Sequence, residues 1–283
     1  MLPERRLGKA GPRVGAIGYG AMVLGGTYGA ADEGEAIATL ERALEGGCNL
    51  IDTADAYAGG RNETLVGRAI KGRRRDAVIA TKCGIVRGPD APGSDFPTGW
   101  GFTLRINGRP EYIRRALDQS LVRLKVDEVD LFYLHYPDPD VPIVESVGAL
   151  ADAVRAGKTL AVGLSNVTPA DLRLAHAVYP IAAVQYEYSL WRREPEAELL
   201  PLARELGVGF VPWAPLGSGF LTGTVESVGA DDFRRHNPKF APANLEANRD
   251  RFAPLAALAA SLGITAAQLA LAWLLHQGDA VVP

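Results

Sequence analysis

Short apolar runs alternate with amphipathic segments along the whole chain. The runs are continuously apolar rather than alternating with polar residues, which is typical of parallel strands covered on both faces. Each run but the last is followed by a segment with helical periodicity. The runs are VGAIGYG (14–20), CNLIDTAD (48–55), DAVIATKCG (76–84), EVDLFYLHYPD (128–138), TLAVGLSNV (159–167), IAAVQYEYS (181–189), VGFVPWAPLG (208–217) and DAVV (279–282).

This rhythm of strand and helix predicts an α/β fold. Seven complete βα units followed by an eighth strand indicate a (β/α)8 TIM barrel. The first fifteen residues contain the turn sequence GKAGP and predict a short hairpin that caps the base of the barrel. No linker-like stretch interrupts the pattern, so we expect one domain over residues 1–283.

A doubly wound dinucleotide-binding sheet is the rival fold. The segment GYGAMV at Gly18 has G-x-G but lacks the third glycine, and GSGFLTG at Gly217 has a spacing one residue too long. Neither is followed by a strand that ends in an acid about twenty residues later. The rival fold is therefore rejected.

Two connections are longer than βα loops usually are. Residues 83–109 carry three aromatic residues, Phe96, Trp100 and Phe102, and residues 214–248 include DDFRRHNPKF. Long loops on one face of a barrel commonly form a substrate wall, so we expect these aromatic side chains to face the substrate. Arg234 and Arg235 could approach a phosphate, but a solvated charged run is the expected arrangement.

The stretch from Pro254 to Leu275 has no charged residue, which raises the question of a membrane span. Gly263 interrupts this stretch, and TAAQ at 265–268 is a capping box that starts a new helix. The sequence therefore predicts two Ala-rich helices in a globular core rather than a span.

Polar or aromatic residues stand at the carboxyl ends of the predicted strands. In a barrel of parallel strands these ends converge on one rim, where active sites lie. Packing alone does not explain such a series. The residues are Asp52 with Tyr57, Lys82, His135, Ser165 with Asn166, Gln185 and Trp213.

Lys82 is the least expected of these residues, because it closes an apolar strand in a chain with six lysines and twenty-four arginines. A lysine in a partly buried rim needs a counter-charge, and Asp52 on the neighbouring strand can supply it. The ammonium group would lower the pKa of a nearby phenol, so we expect Tyr57 to be a tuned proton donor. His135 can donate a hydrogen bond to the same substrate oxygen.

These motifs resemble those of the aldo-keto reductase family, and the resemblance extends over essentially the whole chain. NLIDTADAY resembles the family's Asp-Thr-Ala-x-x-Tyr signature, VIATKCG its lysine strand and LHYPD its histidine segment. VGLSN and VQYEYS resemble its nicotinamide-amide segments, and APLGSGFLTG its pyrophosphate loop. The DDFRRHNPKF stretch is similar to bacterial and plant members of the longer chain type.

The resemblance implies NAD(P)H-dependent reduction of a small carbonyl substrate, with NADP(H) as the cofactor and NAD(H) as the second option. Tyr57 would be the general acid, Lys82 and Asp52 its tuning pair, and His135 the residue that orients the carbonyl. Ser165, Asn166 and Gln185 would hold the nicotinamide carboxamide, and Trp213 would stack on the ring where the family more often has tyrosine. The pyrophosphate would be wrapped by backbone N–H groups of Leu216, Gly217, Ser218 and Gly219.

Three departures from the family pattern limit what the resemblance implies. Ala58 and Tyr136 stand where glycine and arginine are common. The sequence ends at Pro283, before the loop and final helix that grip the adenosine 2′-phosphate in the family. We therefore expect a barrel without that helix, and the sequence does not determine the preference between NADP and NAD, the physiological substrate or the oligomeric state.

A competing hypothesis is a non-enzymatic nicotinamide-sensing subunit, like the reductase-like β-subunits of potassium channels. Those proteins keep the cofactor segments but relax the catalytic set, typically at the histidine. All four catalytic positions are intact in this sequence, which favours an enzyme.

Composition agrees with a cytoplasmic enzyme that acts on small molecules. The net charge is −3 with both signs dispersed, so no basic field for nucleic acid is expected. Cys48 and Cys83 are far apart and form no CxxC motif, which fits a reducing compartment without a zinc site. The N-terminus has no apolar run typical of a signal peptide.

Overall fold

The computed structural model describes residues 2–86, 91–98 and 100–283. Its strands are β1 (Glu4–Arg6), β2 (Arg13–Gly15), β3 (Tyr19–Gly20), β4 (Leu50–Asp52), β5 (Val78–Cys83), β6 (Ile85–Val86), β7 (Ser94–Pro97), β8 (Thr103–Ile106), β9 (Val129–Leu134), β10 (Thr159–Ser165), β11 (Ala183–Glu187) and β12 (Gly209–Trp213). Its α-helices are α1 (Glu33–Glu45), α2 (Arg61–Ala69), α3 (Pro110–Leu124), α4 (Ile143–Arg155), α5 (Pro169–Val178), α6 (Leu199–Leu206), α7 (Pro242–Ser261) and α8 (Ala266–Leu275).

Within the described residues, seven parallel strands form one sheet in the order β12-β11-β10-β9-β5-β4-β3. The predicted eighth run forms a bridge instead of a full strand, with Val281 paired to Phe210 in parallel. The N–H of Gly18 donates to the carbonyl of Pro283 at 2.8 Å. The last residues of the sequence thus join β12 to the start of the sheet, and the predicted barrel fold is confirmed.

The predicted N-terminal hairpin is also present. β1 and β2 pair antiparallel, with Arg5 opposite Val14. The turn between them is closed by the N–H of Leu7, which donates to the carbonyl of Pro12 at 3.0 Å. Leu7 and Val14 are fully buried and pack against the interior of the barrel, so the hairpin closes its base.

Two buried layers account for the continuously apolar strands. Side chains alternate between the two faces of a strand, so each strand contributes to both layers. Leu50 and Leu131 belong to the cluster inside the barrel. Ile51 and Phe132, each the next residue along the chain, pack in the larger cluster between the sheet and the helices.

The uncharged stretch near the C-terminus forms two helices, α7 and α8, as predicted. The capping box at the start of α8 is complete: the Thr265 hydroxyl accepts from the N–H of Gln268, and the Gln268 side chain accepts from the N–H of Thr265. No single helix in the described part of the chain has both the length and the apolar character for a membrane span. α7 and α8 reach that length and apolar character only when taken together. The two helices are bent by 92° relative to each other.

Both long connections contain short elements of secondary structure. The first contains a small antiparallel sheet in the order β6-β8-β7, in which Phe96 pairs with Leu104. Residues 87–90 and 99 of this connection lie outside the described residues. The second ends earlier than expected, because Pro242 at the first turn of α7 fixes a backbone angle that favours helix initiation.

Candidate active site

Asp52, Lys82 and Tyr57 meet at the mouth of the barrel. The register of β4 and β5 places Asp52 opposite Ala80, two residues before Lys82. The ammonium of Lys82, whose side chain is fully buried, forms an ion pair with Oδ1 of Asp52. It also donates to the carbonyl of Thr53 at 2.9 Å and to the phenol oxygen of Tyr57 at 3.1 Å. The counter-charge expected for Lys82 is therefore present.

Burial and charge act in opposite directions on the pKa values of this group. Burial lowers the pKa of Lys82, but Asp52 and Tyr57 more than offset that effect, so the net pKa is raised and the ammonium form is favoured. The expectation of a lowered pKa for Tyr57 is wrong. Burial raises the pKa of this phenol more than Lys82 lowers it. Tyr57 is therefore a neutral phenol that carries a proton at neutral pH.

His135 follows β9 and faces the same phenol. Its ring lies edge-on to the ring of Tyr57 at a centroid distance of 5.8 Å. Burial, and then the charge of Lys82, hold the pKa of His135 well below its usual value, so the imidazole is neutral. Within the described residues its Nδ1 atom is buried without a hydrogen-bond partner. A neutral imidazole can still donate one hydrogen bond to a bound oxygen.

A hydrogen-bonded group lies at the carboxyl ends of β10 and β12 and consists of Ser165, Asn166 and Trp213. The amide nitrogen of Asn166 donates to the Ser165 hydroxyl at 3.0 Å and to the carbonyl of His135 at 3.1 Å. Its amide oxygen accepts from Nε1 of Trp213 at 3.1 Å. Asn166 has a φ of 56°, a left-handed conformation that asparagine tolerates better than most residues. The backbone thus turns the Asn166 amide toward its neighbours.

Gln185, at the end of the next strand, contacts the charged group directly. Its amide nitrogen donates to Oδ2 of Asp52 at 2.8 Å. The family resemblance implies that Gln185 holds the nicotinamide carboxamide, and no sequence motif predicts its bond to Asp52. The contact arises because β11 lies across the barrel from β4, a relationship that chain order conceals.

The glycine-rich loop after β12 is a series of tight turns. The N–H groups of Gly217 and Gly219 donate within the loop, to the carbonyls of Ala214 and Leu216. These two N–H groups therefore hold the loop in its turn conformation. Gly217 is also required for packing, because a Cβ there would lie 2.9 Å from the ring of Trp191. Leu216, Ser218 and Gly219 line the cavity.

Arg234 occupies a position that the sequence pattern does not predict. Its side chain is only 16% exposed, which contradicts the expected solvated charged run. The guanidinium is paired with Asp232, donates to the carbonyl of Ser218 at 3.1 Å and lies over the ring of Tyr28 at 4.8 Å. Arg234 therefore joins the glycine-rich loop to the first βα loop. Arg235, by contrast, lies at the surface.

A cavity of about 1510 Å³ opens above these residues and is lined by Asp52, Tyr57, His135 and Trp213. The three predicted substrate-wall residues also line it. Phe96 packs on Tyr136 at a centroid distance of 5.2 Å. Phe102 and Trp100 pack on Phe233, at 5.4 and 6.3 Å. The outer wall of the cavity is thus largely aromatic and combines side chains from both long connections.

Comparisons with known proteins agree with this geometry. The model of the Aldo/keto reductase family matches residues 16–283. A protein from Glycine max described as "Probable aldo-keto reductase 1" is 43% identical over 282 residues, which cover 98% of this chain and 78% of that protein.

Solved structures give the same picture. The glycerol dehydrogenase from Gluconobacter oxydans is 30% identical with a TM-score of 0.82, over 99% of this chain and 85% of that one. An aldo-keto reductase from Klebsiella pneumoniae in complex with NADPH is 26% identical with a TM-score of 0.75, over 100% of this chain and 85% of that one.

Proposed function

The chain belongs to the aldo/keto reductase family of oxidoreductases, and we propose that it reduces an aldehyde or ketone to an alcohol with NADPH. The observation that carries the proposal is the contact of one buried ammonium, on Lys82, with both the Asp52 carboxylate and the Tyr57 phenol. This arrangement lies at the floor of a cavity large enough for a cofactor and a substrate.

The residues around the cavity fit a nicotinamide dinucleotide. Ser165, Asn166 and Gln185 present hydroxyl and amide groups at one side, where they would hold the carboxamide. The indole of Trp213 lines the same region and would stack on the ring. The NADPH bound by the Klebsiella pneumoniae relative supports NADP(H) as the cofactor, with NAD(H) as the second option. When bound, the nicotinamide supplies the hydride that reduces the carbonyl carbon.

Tyr57 would provide the proton. Its phenol is neutral at neutral pH and lies 3.1 Å from the ammonium of Lys82. As the carbonyl oxygen gains negative charge, it takes the proton from the phenol, and the resulting phenolate is stabilised by Lys82. Solvent then returns a proton to Tyr57. In the reverse oxidation the same oxygen would act as the base.

His135 would orient the carbonyl. Its lowered pKa keeps the imidazole neutral, so it polarises the oxygen by hydrogen bonding without competing with Tyr57 as the acid. The aromatic wall formed with Phe96, Trp100 and Phe102 would hold the rest of the substrate.

The alternative of a nicotinamide-sensing subunit is not favoured. That class relaxes the catalytic set, whereas here Asp52, Lys82 and Tyr57 contact one another and His135 lies against the phenol.

The test is NADPH oxidation at 340 nm with a nitrobenzaldehyde, comparing the wild type with Tyr57→Phe. We expect turnover in the wild type and a loss of about 10²- to 10⁴-fold in the variant, the usual contribution of a general acid. NADPH binding, followed by quenching of tryptophan fluorescence, should be the same in both proteins. Turnover that persists in Tyr57→Phe would show that another group supplies the proton. Wild-type protein that binds NADPH but turns over no carbonyl in a panel of aldehydes and ketones would favour the sensing subunit.

A further inference from the structure

Behind the proposed catalytic group, on the helix-facing side of the sheet, lies a second set of buried polar contacts. The Thr53 hydroxyl donates to the amide oxygen of Asn62 on α2 at 2.6 Å. The amide nitrogen of Asn62 donates in turn to the carbonyl of Ala21 at 2.7 Å. Thr53 and Asn62 are both fully buried. The first residue after β4 is thus tied to α2 and, through it, to the segment after β3.

The neighbouring strand is tied to the same helix in the same way. The Thr81 hydroxyl donates to Oε1 of Glu63 at 2.6 Å. The other carboxylate oxygen of Glu63 accepts from Nε of Arg123 on α3, also at 2.6 Å. Thr81 and Glu63 are fully buried, and Arg123 compensates the buried carboxylate. Each polar atom in this chain of contacts therefore has a partner, as buried groups require.

The two threonines bound to α2, Thr53 and Thr81, are sequence neighbours of Asp52 and Lys82. Thr53 follows Asp52, and Thr81 precedes Lys82. Because side chains alternate along a strand, clamping Thr81 on the helix side fixes the direction in which Lys82 enters the barrel mouth. Thr53 contributes twice, since its carbonyl also accepts from the ammonium of Lys82. Adjacent residues of one helix, Asn62 and Glu63, thus hold both strands that carry the ion pair.

We propose that Asn62 and Glu63 are positioning residues which, through Thr53 and Thr81, fix the placement of Asp52 and Lys82 around the Tyr57 phenol. The proposal rests on the function proposed above and extends it to α2. A lysine side chain has a flexible four-carbon stem, so its backbone must be held firmly if the ammonium is to stay in contact with a phenol. Productive active-site geometry tolerates displacements of only about 0.5 Å.

The experiment removes the hydrogen bond from Thr53 to Asn62, or the one from Thr81 to Glu63, without adding charge to the core. Thr81→Val and Thr53→Val delete the hydroxyls and keep the shape, whereas Thr81→Ser and Thr53→Ser keep the hydroxyls. Thr159→Val is the matched control. Thr159 is a buried strand threonine at the opposite end of the barrel wall, and its hydroxyl donates to the carbonyl of Ala161 at 2.9 Å. All variants are compared at equal folded fraction, measured by thermal denaturation.

The first readout is the split between catalysis and binding. We expect Thr81→Val to lower kcat by roughly ten- to a hundredfold, because a misplacement of about 1 Å caused by a distant mutation can cost about a hundredfold in rate. NADPH affinity should stay within about twofold of the wild type, a difference of under half a kcal/mol. Thr81→Ser should recover most of the loss. Thr53→Val makes the same comparison at the second clamp, and it stands in for Thr81→Val if that variant does not fold.

The second readout does not depend on turnover. In protein labelled with ¹³Cζ-tyrosine, the resonance of Tyr57 is assigned by its absence in Tyr57→Phe and titrated with pH. A displaced Lys82 stabilises the phenolate less, so the Tyr57 pKa should rise further in the Val variants and stay unchanged in Thr159→Val.

These readouts separate failure of the inference from failure of the proposed function. A wild type without carbonyl turnover would contradict the function, while a Tyr57 titration that shifts in the Val variants would still support the positioning role. If Thr81→Val and Thr53→Val match Thr159→Val in kcat and in the Tyr57 titration, α2 only stabilises the fold and the inference is wrong.

Discussion

The Gln185 amide and the Lys82 ammonium bind different oxygens of one carboxylate. Lys82 is paired with Oδ1 of Asp52, and Gln185 donates to Oδ2 at 2.8 Å. Asp52 is therefore held in one orientation by groups from two strands, β5 and β11. The bond from Gln185 to Asp52 connects a residue expected to hold the cofactor with the group expected to transfer the proton.

Gln185→Met tests this connection. Removal of the amide frees Oδ2 of Asp52 and deletes a proposed carboxamide ligand, so we expect weaker NADPH binding and also a lower rate of hydride transfer. A hydrogen bond to a charged group contributes about 1.5–3 kcal/mol, which corresponds to at least a tenfold effect. Fluorescence titration gives the affinity, and single-turnover kinetics at saturating NADPH give the rate. An unchanged single-turnover rate would show that Gln185 serves the cofactor alone.

Lys82→Met should destabilise the protein far more than the same change at a surface lysine. Lys82 is fully buried, so its loss leaves the Asp52 carboxylate without its charged partner, at a cost of about 3–5 kcal/mol in the free energy of unfolding. Lys158 is paired with Asp118 at the surface. Lys158→Met is the matched control and should cost about 0–1 kcal/mol. Urea denaturation of both variants checks the difference, and equal costs would mean that solvent compensates Asp52.

Asp55 should make the fold less stable as the pH rises from about 4 towards 7. Burial, and then the nearby Glu63 carboxylate, raise the pKa of Asp55 to about 7 although Arg123 acts in the opposite direction. Oδ2 accepts a long bond from Tyr112, at 3.4 Å, and Oδ1 is a buried oxygen without a hydrogen-bond partner within the described residues.

Between the unfolded pKa of 3.8 and the folded pKa of about 7, the folded state holds a proton that the unfolded state has lost. Stability therefore falls as the pH rises through this window, by up to about 1.4 kcal/mol per pH unit, and the penalty is complete above it. Asp55→Asn removes the titration, so the stability of the variant relative to the wild type should increase from pH 4 to pH 7 and then level off. Denaturation curves at several pH values that stay parallel for the two proteins would contradict the raised pKa.

Trp213→Phe should weaken NADPH binding even though an aromatic ring remains. Phenylalanine can still stack, but it lacks the N–H that donates to Asn166 at 3.1 Å, so the amide of Asn166 loses its anchor. A hydrogen bond of about 1 kcal/mol predicts a roughly fivefold rise in Kd. Trp100→Phe, in the outer wall of the cavity, is the control: it should change KM for an aromatic aldehyde and leave the Kd for NADPH unchanged. The same Kd in Trp213→Phe and the wild type would show that the bond to Asn166 is dispensable.

The sequence alone was sufficient to predict the barrel and most residues at its mouth. Continuous apolar runs, each followed by a helical segment, can bury both faces of a strand only if helices cover the sheet, which makes a parallel barrel the consistent solution. Local signals were also reliable, as the capping box at Thr265 and the turn after Leu7 show. Asp52 and Lys82 were predicted to pair because their strands are neighbours in the chain as well as in the sheet.

Tertiary structure alone determined the contacts between distant segments and the balance of opposing electrostatic effects. The bond between Gln185 and Asp52 spans 133 residues, and no local pattern encodes it. The direction of the pKa shift of Tyr57 depends on how completely the fold removes the phenol from water, which competes with the charge of Lys82. Arg234 is largely removed from solvent because the segment that carries it folds back onto Ser218 and Tyr28. Sequence periodicity reports which face of an element is buried, whereas desolvation and long-range hydrogen bonds depend on the packing of all the elements together.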